Sequence, residues 1–198
     1  MEDYSNEQDI YKLANNSTIV GFKDSTSDTW DNTKYNNITI NFVRFDDNSA
    51  YLKIPVWVDA EEIRAVCRSI ISGNFTKINF PGGDRGKYVS YGGSQSKGLA
   101  KKRKDGKLVN IIKNAPESRI FTIEFGKDGS FYLKANAFKG RITGKGAIKK
   151  QGETIAKAYY KADQLTMLTT ASAILSYLNA RQVLSVSKYQ KQLNKGEK

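Results

Sequence analysis

The chain has no histidine and one cysteine in 198 residues. That removes the usual general base, the commonest metal ligand and every zinc site of Cys/His type. A magnesium site built from carboxylates alone would remain, but no paired acidic motif stands at a predicted strand end. The residues with chemistry to offer are rings and lysines at spacings of two and four. Tyr51, Lys53 and Trp57 form one such set, and Tyr132, Lys134 and Phe138 form another. A flat ring gives a nucleobase a stacking surface worth ~1–3 kcal/mol, and an ammonium on a phosphate adds counterion release. The expected chemistry is noncovalent capture of an unpaired polyanion that carries flat bases. No catalytic residue, metal or cofactor is expected.

The elements that must position these side chains are strands, because successive side chains of a strand point to opposite faces. Residues 49–57 recur as residues 130–138, with Ser, Tyr, Leu and Lys matched and a large aromatic closing both copies. Leu52, Ile54, Val56 and Val58 share one face, and Tyr51, Lys53, Pro55 and Trp57 the other. The second copy sorts Leu133, Ala135 and Ala137 against Tyr132, Lys134, Asn136 and Phe138. A preceding strand repeats as well, Thr39-Ile40-Asn41-Phe42 against Thr122-Ile123-Glu124-Phe125, with turn residues between the strands of each pair. Each unit is predicted to close with a helix. Asp59 and Glu62 form a capping box, Ile63, Val66, Cys67, Ile70 and Ile71 a stripe, and Gly73 a C-terminal cap. Cys67 on that stripe reads as core filling rather than a nucleophile. In the second helix the expected stripe is Leu165, Leu168, Ala171, Leu175 and Leu178, flanked by Met167 and Ile174. About 21 residues separate strand from helix in the second unit beyond the spacing in the first. The fold class expected is α+β, a duplicated strands-then-helix unit with two antiparallel sheets and helices.

Charge is unevenly placed. Net charge is +12, and residues 1–50 hold nine acids and four bases, so the rest of the chain is strongly basic. Such asymmetry is the footprint of a nucleic-acid or anionic-membrane partner. No apolar run approaches the ~18 residues of a membrane helix, so no membrane partner is expected. Residues 1–16 read as a flexible acidic arm, residues 17–180 as one domain of two repeats (17–73 and 76–180), and residues 181–198 as a basic tail that frays. Thr18–Phe22, Thr76–Phe80, Leu108–Ile112 and Ile155–Tyr160 read as further strands, the last with Lys157 and Tyr159 on one face. Residues 25–37 read as a polar loop in which Trp30 and Tyr35 are either core anchors, the favoured reading, or base-stacking rings. The glycines of residues 81–93 suit hairpin turns and do not fit a phosphate-binding loop, since no Gly-Lys-Ser/Thr opens a helix. Tyr88 and Tyr91 are assigned as stacking rings on that hairpin. The densest basic run follows, with Lys101, Lys102, Arg103 and Lys104 as phosphate contacts. Arg141, Lys145 and Lys149 join them from an edge hairpin over residues 139–150.

The closing segment, Ala162-Asp163-Gln164-Leu165-Thr166-Met167-Leu168-Thr169-Thr170-Ala171-Ser172-Ala173, resembles the last helix of the Whirly single-stranded DNA-binding proteins. Val58-Asp59-Ala60-Glu61-Glu62-Ile63 resembles the helix start of their first half. The resemblance covers roughly residues 17–180. It implies two antiparallel sheets with helices packed between them, single-stranded DNA as ligand, and a homo-oligomer joined through the helices, with a tetramer favoured over a dimer. The family's lysine-glycine-lysine signature lies early in its fold. The nearest strings here, Lys97-Gly98-Leu99-Ala100 and Gly144-Lys145-Gly146-Ala147, lie in the second half. With no organelle presequence at the start, the expectation is a phage, plasmid or bacterial protein of the cytoplasm, serving replication, recombination or transfer of a genome. Two rival readings use the same sheets: an RNA-binding protein, and a regulatory or assembly protein that docks a protein partner.

Overall fold

The computed structural model describes residues 9–25, 36–46, 49–95 and 98–196, with side chains to residue 184. Among these described residues, ten strands and two helices follow in the order β1 (Asp9–Ala14), β2 (Thr18–Asp24), β3 (Asn37–Asp46), β4 (Ser49–Asp59), α1 (Ala60–Ile71), β5 (Lys87–Ser94), β6 (Lys101–Lys104), β7 (Lys107–Asn110), β8 (Glu117–Phe125), β9 (Phe131–Ile142), β10 (Ile148–Ala162) and α2 (Gln164–Gly196). The class is α+β. One antiparallel sheet has the order β1-β2-β3-β4-β6-β7 and the other β10-β9-β8-β5. They share one core, in which Phe42 of the first sheet meets Phe121 of the second at a ring separation of 6.0 Å.

Alternation of apolar and polar residues sets which face goes inward. Leu52, Ile54, Val56 and Val58 of β4 are buried, as are Leu133, Ala135 and Ala137 of β9. The two hairpins do not pair matching residues, however. Thr39 stands opposite Trp57, whereas Thr122 stands opposite Lys134 rather than Phe138. This displacement is an even number of residues, so the sorting of faces survives it. The turn at Asp47-Asn48 lies outside the described residues, as do Trp30 and Tyr35.

Helix α1 begins where the sequence places it. Asp59 Oδ1 accepts from the N–H groups of Glu61 (2.8 Å) and Glu62 (3.2 Å). The other half of the expected capping box is absent, because the Glu62 carboxylate accepts instead from the Tyr88 hydroxyl at 2.7 Å. The helix ends in a Schellman motif, with Asn74 N–H donating to Ser69 O and Gly73 N–H to Ile70 O, and Gly73 at φ 68°. Replacing the cap, Asp59→Ala, is expected to cost about 1 kcal/mol, read as a lowered urea midpoint at unchanged slope.

Three elements differ from expectation, one of them in two respects. Residues 9–14 of the supposed arm form β1, because Leu13 is buried opposite Val20, a long-range pairing that local composition does not reveal. Thr76–Phe80 is a turn with one isolated bridge, Asn79 to Arg85, not a strand. Helix α2 buries Met167, Thr170, Ala171, Ile174 and Leu178 and leaves Leu165 and Leu168 exposed, a face rotated from the expected stripe. The same helix runs to Gly196 instead of fraying near residue 180. Its docking explains the rotation. Arg64 of α1 donates to Asn179 Oδ1 (2.6 Å) and to Leu178 O (3.3 Å), and Tyr177 donates to Asp24 at 2.7 Å.

Candidate nucleic-acid interface

Register fixes the outer face of the second sheet. Rows across β5, β8, β9 and β10 read Lys87-Glu124-Tyr132-Lys161, then Val89-Thr122-Lys134-Tyr159, then Tyr91-Ile120-Asn136-Lys157, then Gly93-Ser118-Phe138-Thr154. Tyr91 is 66% exposed and Tyr159 is 62% exposed, the two most open rings among the described residues. Tyr159 was legible in the alternation of β10 but was not assigned as a stacking ring.

The carboxylates in and beside the first row are neutralised by lysines of the first two rows. Lys134 reaches Glu124 at 2.6 Å, Lys161 reaches Asp128 at 2.8 Å, and the Tyr132 hydroxyl donates to Asp128 at 2.8 Å. Hydrogen bonds from Lys161, Tyr132 and the Ser130 N–H hold the Asp128 carboxyl below the usual carboxylate range, and Lys134 lowers Glu124. Lys134 therefore has an internal counterion that a phosphate must displace. Both carboxyls bind protons less readily folded than unfolded, so they add stability above about pH 4 and lose it as pH falls below that. The thermal midpoint is expected to drop on acidification below about pH 4, and Asp128→Asn is expected to flatten that drop in a melting series.

The third and fourth rows and the β9–β10 ribbon are different. Ile148 of the ribbon packs where Gly93 and Gly140 have no side chain; a Cβ on Gly93 would lie 2.8 Å from Ile148 Cδ1 and 2.7 Å from Glu117 O. Gln95 Nε2 donates to Gly146 O at 3.0 Å and ties the ribbon tip to the end of β5. This seat holds Arg141, Lys145 and Lys149, all exposed, beside the row of Tyr91. Among the described residues none of the three has an acidic partner.

On the first sheet, Lys53 is half-buried directly opposite Lys101 of β6. Like charges placed opposite each other are destabilising, and no carboxylate among the described residues relieves them. Lys102 and Lys104 are exposed on the same hairpin, whereas Arg103 is paired with Asp46. Tyr51 is 37% exposed and carries the Arg44 guanidinium 4.8 Å from its ring centroid. Trp57 is half-buried beneath Arg119, whose Cζ lies 4.5 Å from the indole centroid. Arg119 is itself buried. It donates to Pro55 O at 2.9 Å, where β6 has left the edge of β4, and pairs with the fully buried Glu117 at 3.5 Å. Glu117 accepts from Ala100 N–H at 3.2 Å and so anchors the root of the basic hairpin. Burial raises the Glu117 carboxyl against the pull of Arg119, and lowers Arg119 to about 10.

Two expected stacking rings are not available. Tyr88 is 2% exposed, packs against Phe80 and Phe121, and is hydrogen-bonded to Glu62. Its odd spacing from Tyr91 puts the two rings on opposite faces of β5. Phe138 is buried under the ribbon, with Lys150 Nζ 4.5 Å from its centroid. Cys67 is buried and its thiol is pushed up to about 12, which leaves it inert.

Away from these faces, a cavity of about 290 Å³ opens between Ile70, Ile71, Phe75, Phe125, Phe131 and Leu168, with no charged side chain in its lining. No cluster of His, Cys, Asp or Glu suited to a metal gathers among the described residues, and no helix there is long and apolar enough to cross a membrane. No family model, curated protein or solved structure matches the chain. The likeness to Whirly proteins thus rests on the segments quoted above.

Proposed function

We propose that the protein is a non-enzymatic, sequence-tolerant single-stranded DNA-binding protein. Its α+β fold is read as a Whirly-like duplicated unit, and its role as replication, recombination or transfer of a phage, plasmid or bacterial genome in the cytoplasm. The observation that carries the reading is the pairing of open rings, Tyr91 and Tyr159, with cations that lack acidic partners among the described residues, Arg141, Lys145, Lys149, Lys53 and Lys101. A solvated surface has no use for two lysines held face to face, whereas a polyanion relieves their repulsion. Bases inside a duplex cannot reach a flat sheet face, so an unpaired strand is the ligand that uses both kinds of group. The exposed Leu165, Leu168 and Ile71 around the apolar cavity support a homo-oligomer joined through the helices.

Competition among a labelled DNA oligomer, its duplex and the RNA of the same sequence tests the proposal. Single-stranded DNA is expected to compete best. Preference for RNA shifts the reading to an RNA-binding protein, and no competition by any of them favours a protein partner on the same sheets.

A further inference from the structure

Besides the buried Arg119 and Tyr160, which bond Pro55 O and Ala14 O across the two sheets, Arg44 joins the sheets at an exposed position. Arg44, at the end of β3, donates from Nη1 to Lys157 O (3.2 Å) on the free edge of β10. The same guanidinium lies 4.8 Å from the Tyr51 ring centroid on β4. Lys157 shares a row with Tyr91, and Tyr159 follows two residues later on the same face of β10. A β-bulge between Arg44 and Phe45 leaves Tyr51 out of the pairing and lets its ring turn toward this seam. Beyond Tyr51 lie Lys53 and Lys101, the opposed lysines.

We propose that one unpaired strand follows a single track across both sheets, from Tyr91 over Tyr159 and across the Arg44 seam to Tyr51 and the Lys53–Lys101 pair. The track rests on the single-strand reading above and deepens it by giving the ligand path. Geometry favours a crossing direction over one along a strand. Tyr91 and Tyr159 stand three strands and one row apart, about 16 Å at the usual strand and residue spacings. That is a span of no more than about five nucleotides at the ~3.4 Å stacked rise. The first row, where Lys134 and Lys161 neutralise Glu124 and the neighbouring Asp128, borders the track on one side, and the cationic ribbon borders it on the other. Between two such borders, phosphates are drawn to the ribbon side and bases are left over the rings. Arg44 is a positioning residue here. It props the Tyr51 ring and closes the gap between the sheets with one guanidinium.

The test uses the full chain and a dT oligomer long enough to span both sheets, with Tyr91→Ala, Tyr159→Ala and Tyr51→Ala made singly. All three rings are exposed, so the fold is expected to survive, checked by an unchanged thermal midpoint. Each variant is expected to weaken binding at least about 5-fold while leaving the salt dependence unchanged, as removal of a stacking ring rather than a charge requires. Loss confined to Tyr91 and Tyr159, or confined to Tyr51, overturns the continuous track while leaving single-strand binding intact. Failure of the unaltered chain to bind the oligomer overturns the underlying reading as well, and is seen before any variant is compared.

Discussion

Arg119→Ala is expected to lose about 3–5 kcal/mol of folding stability, because it takes away the cation paired with the buried Glu117 carboxylate. Glu117 has no exposed surface and Arg119 only 2%. The loss is felt at three places at once. Pro55 O forfeits its donor at the unpaired edge of β4, the Trp57 indole loses the guanidinium above it, and the Glu117 anchor of Ala100 must be protonated or rearranged. The pH dependence has a defined sign. A carboxyl whose folded pKa lies above its unfolded value favours folding when protonated, so stability falls as pH rises through that range. Burial already raises Glu117, and without Arg119 the rise is greater. The deficit should therefore be largest near neutral pH and shrink toward about pH 4, as urea midpoints would report. A second variant separates charge from packing: Glu117→Leu with Arg119→Met is expected to cost less than Arg119→Ala alone, since it leaves no lone charge. A deficit under about 1 kcal/mol for Arg119→Ala, flat with pH, would show that water already reaches the pair.

Removing four of the ribbon cations together, with Arg141, Lys145, Lys149 and Lys150 all changed to Ala, is expected to make the salt slope of single-strand binding shallower by up to about 2.8. Each phosphate contact on a single strand contributes ~0.7 to that slope. Lys150 lies over Phe138, so its contribution is the smallest of the four. The other three side chains are exposed on a ribbon seated by Ile148 against Gly93, and replacing them disturbs no packing contact of that seat. The expected signature is weaker binding at low salt that converges with the unaltered protein at high salt. An unchanged slope would remove the ribbon from the interface and leave the first sheet as the phosphate track.

Much of the fold was legible because it depends on local periodicity. The period of two in β4 and β9 gave the buried faces, and Asp59 and Gly73 marked both ends of α1. The expectation failed where distant partners decide. Leu13 is buried because β2 and α2 lie against β1, and the face of α2 is set by α1 and Asp24. At the site, Tyr88 was assigned against the strand rule itself, since residues three apart cannot share a face. Phe138 was lost to something no strand pattern contains, the folding back of a ribbon onto two glycines. Tyr159 stood on the same face as Lys157 and was readable from alternation alone. The Glu117–Arg119 pair and the Arg44 seam were not, because both join elements far apart in the chain.

The most direct test of the central claim is the affinity of a dT oligomer measured across a salt series, beside a duplex of equal length. Open rings flanked by cations that have no acidic partner among the described residues predict tight binding at low salt, a log–log slope of about −2.8 or steeper (four or more phosphates at ~0.7 each), and weaker binding of the duplex. A slope near zero, or a duplex bound as tightly as the single strand, would contradict it.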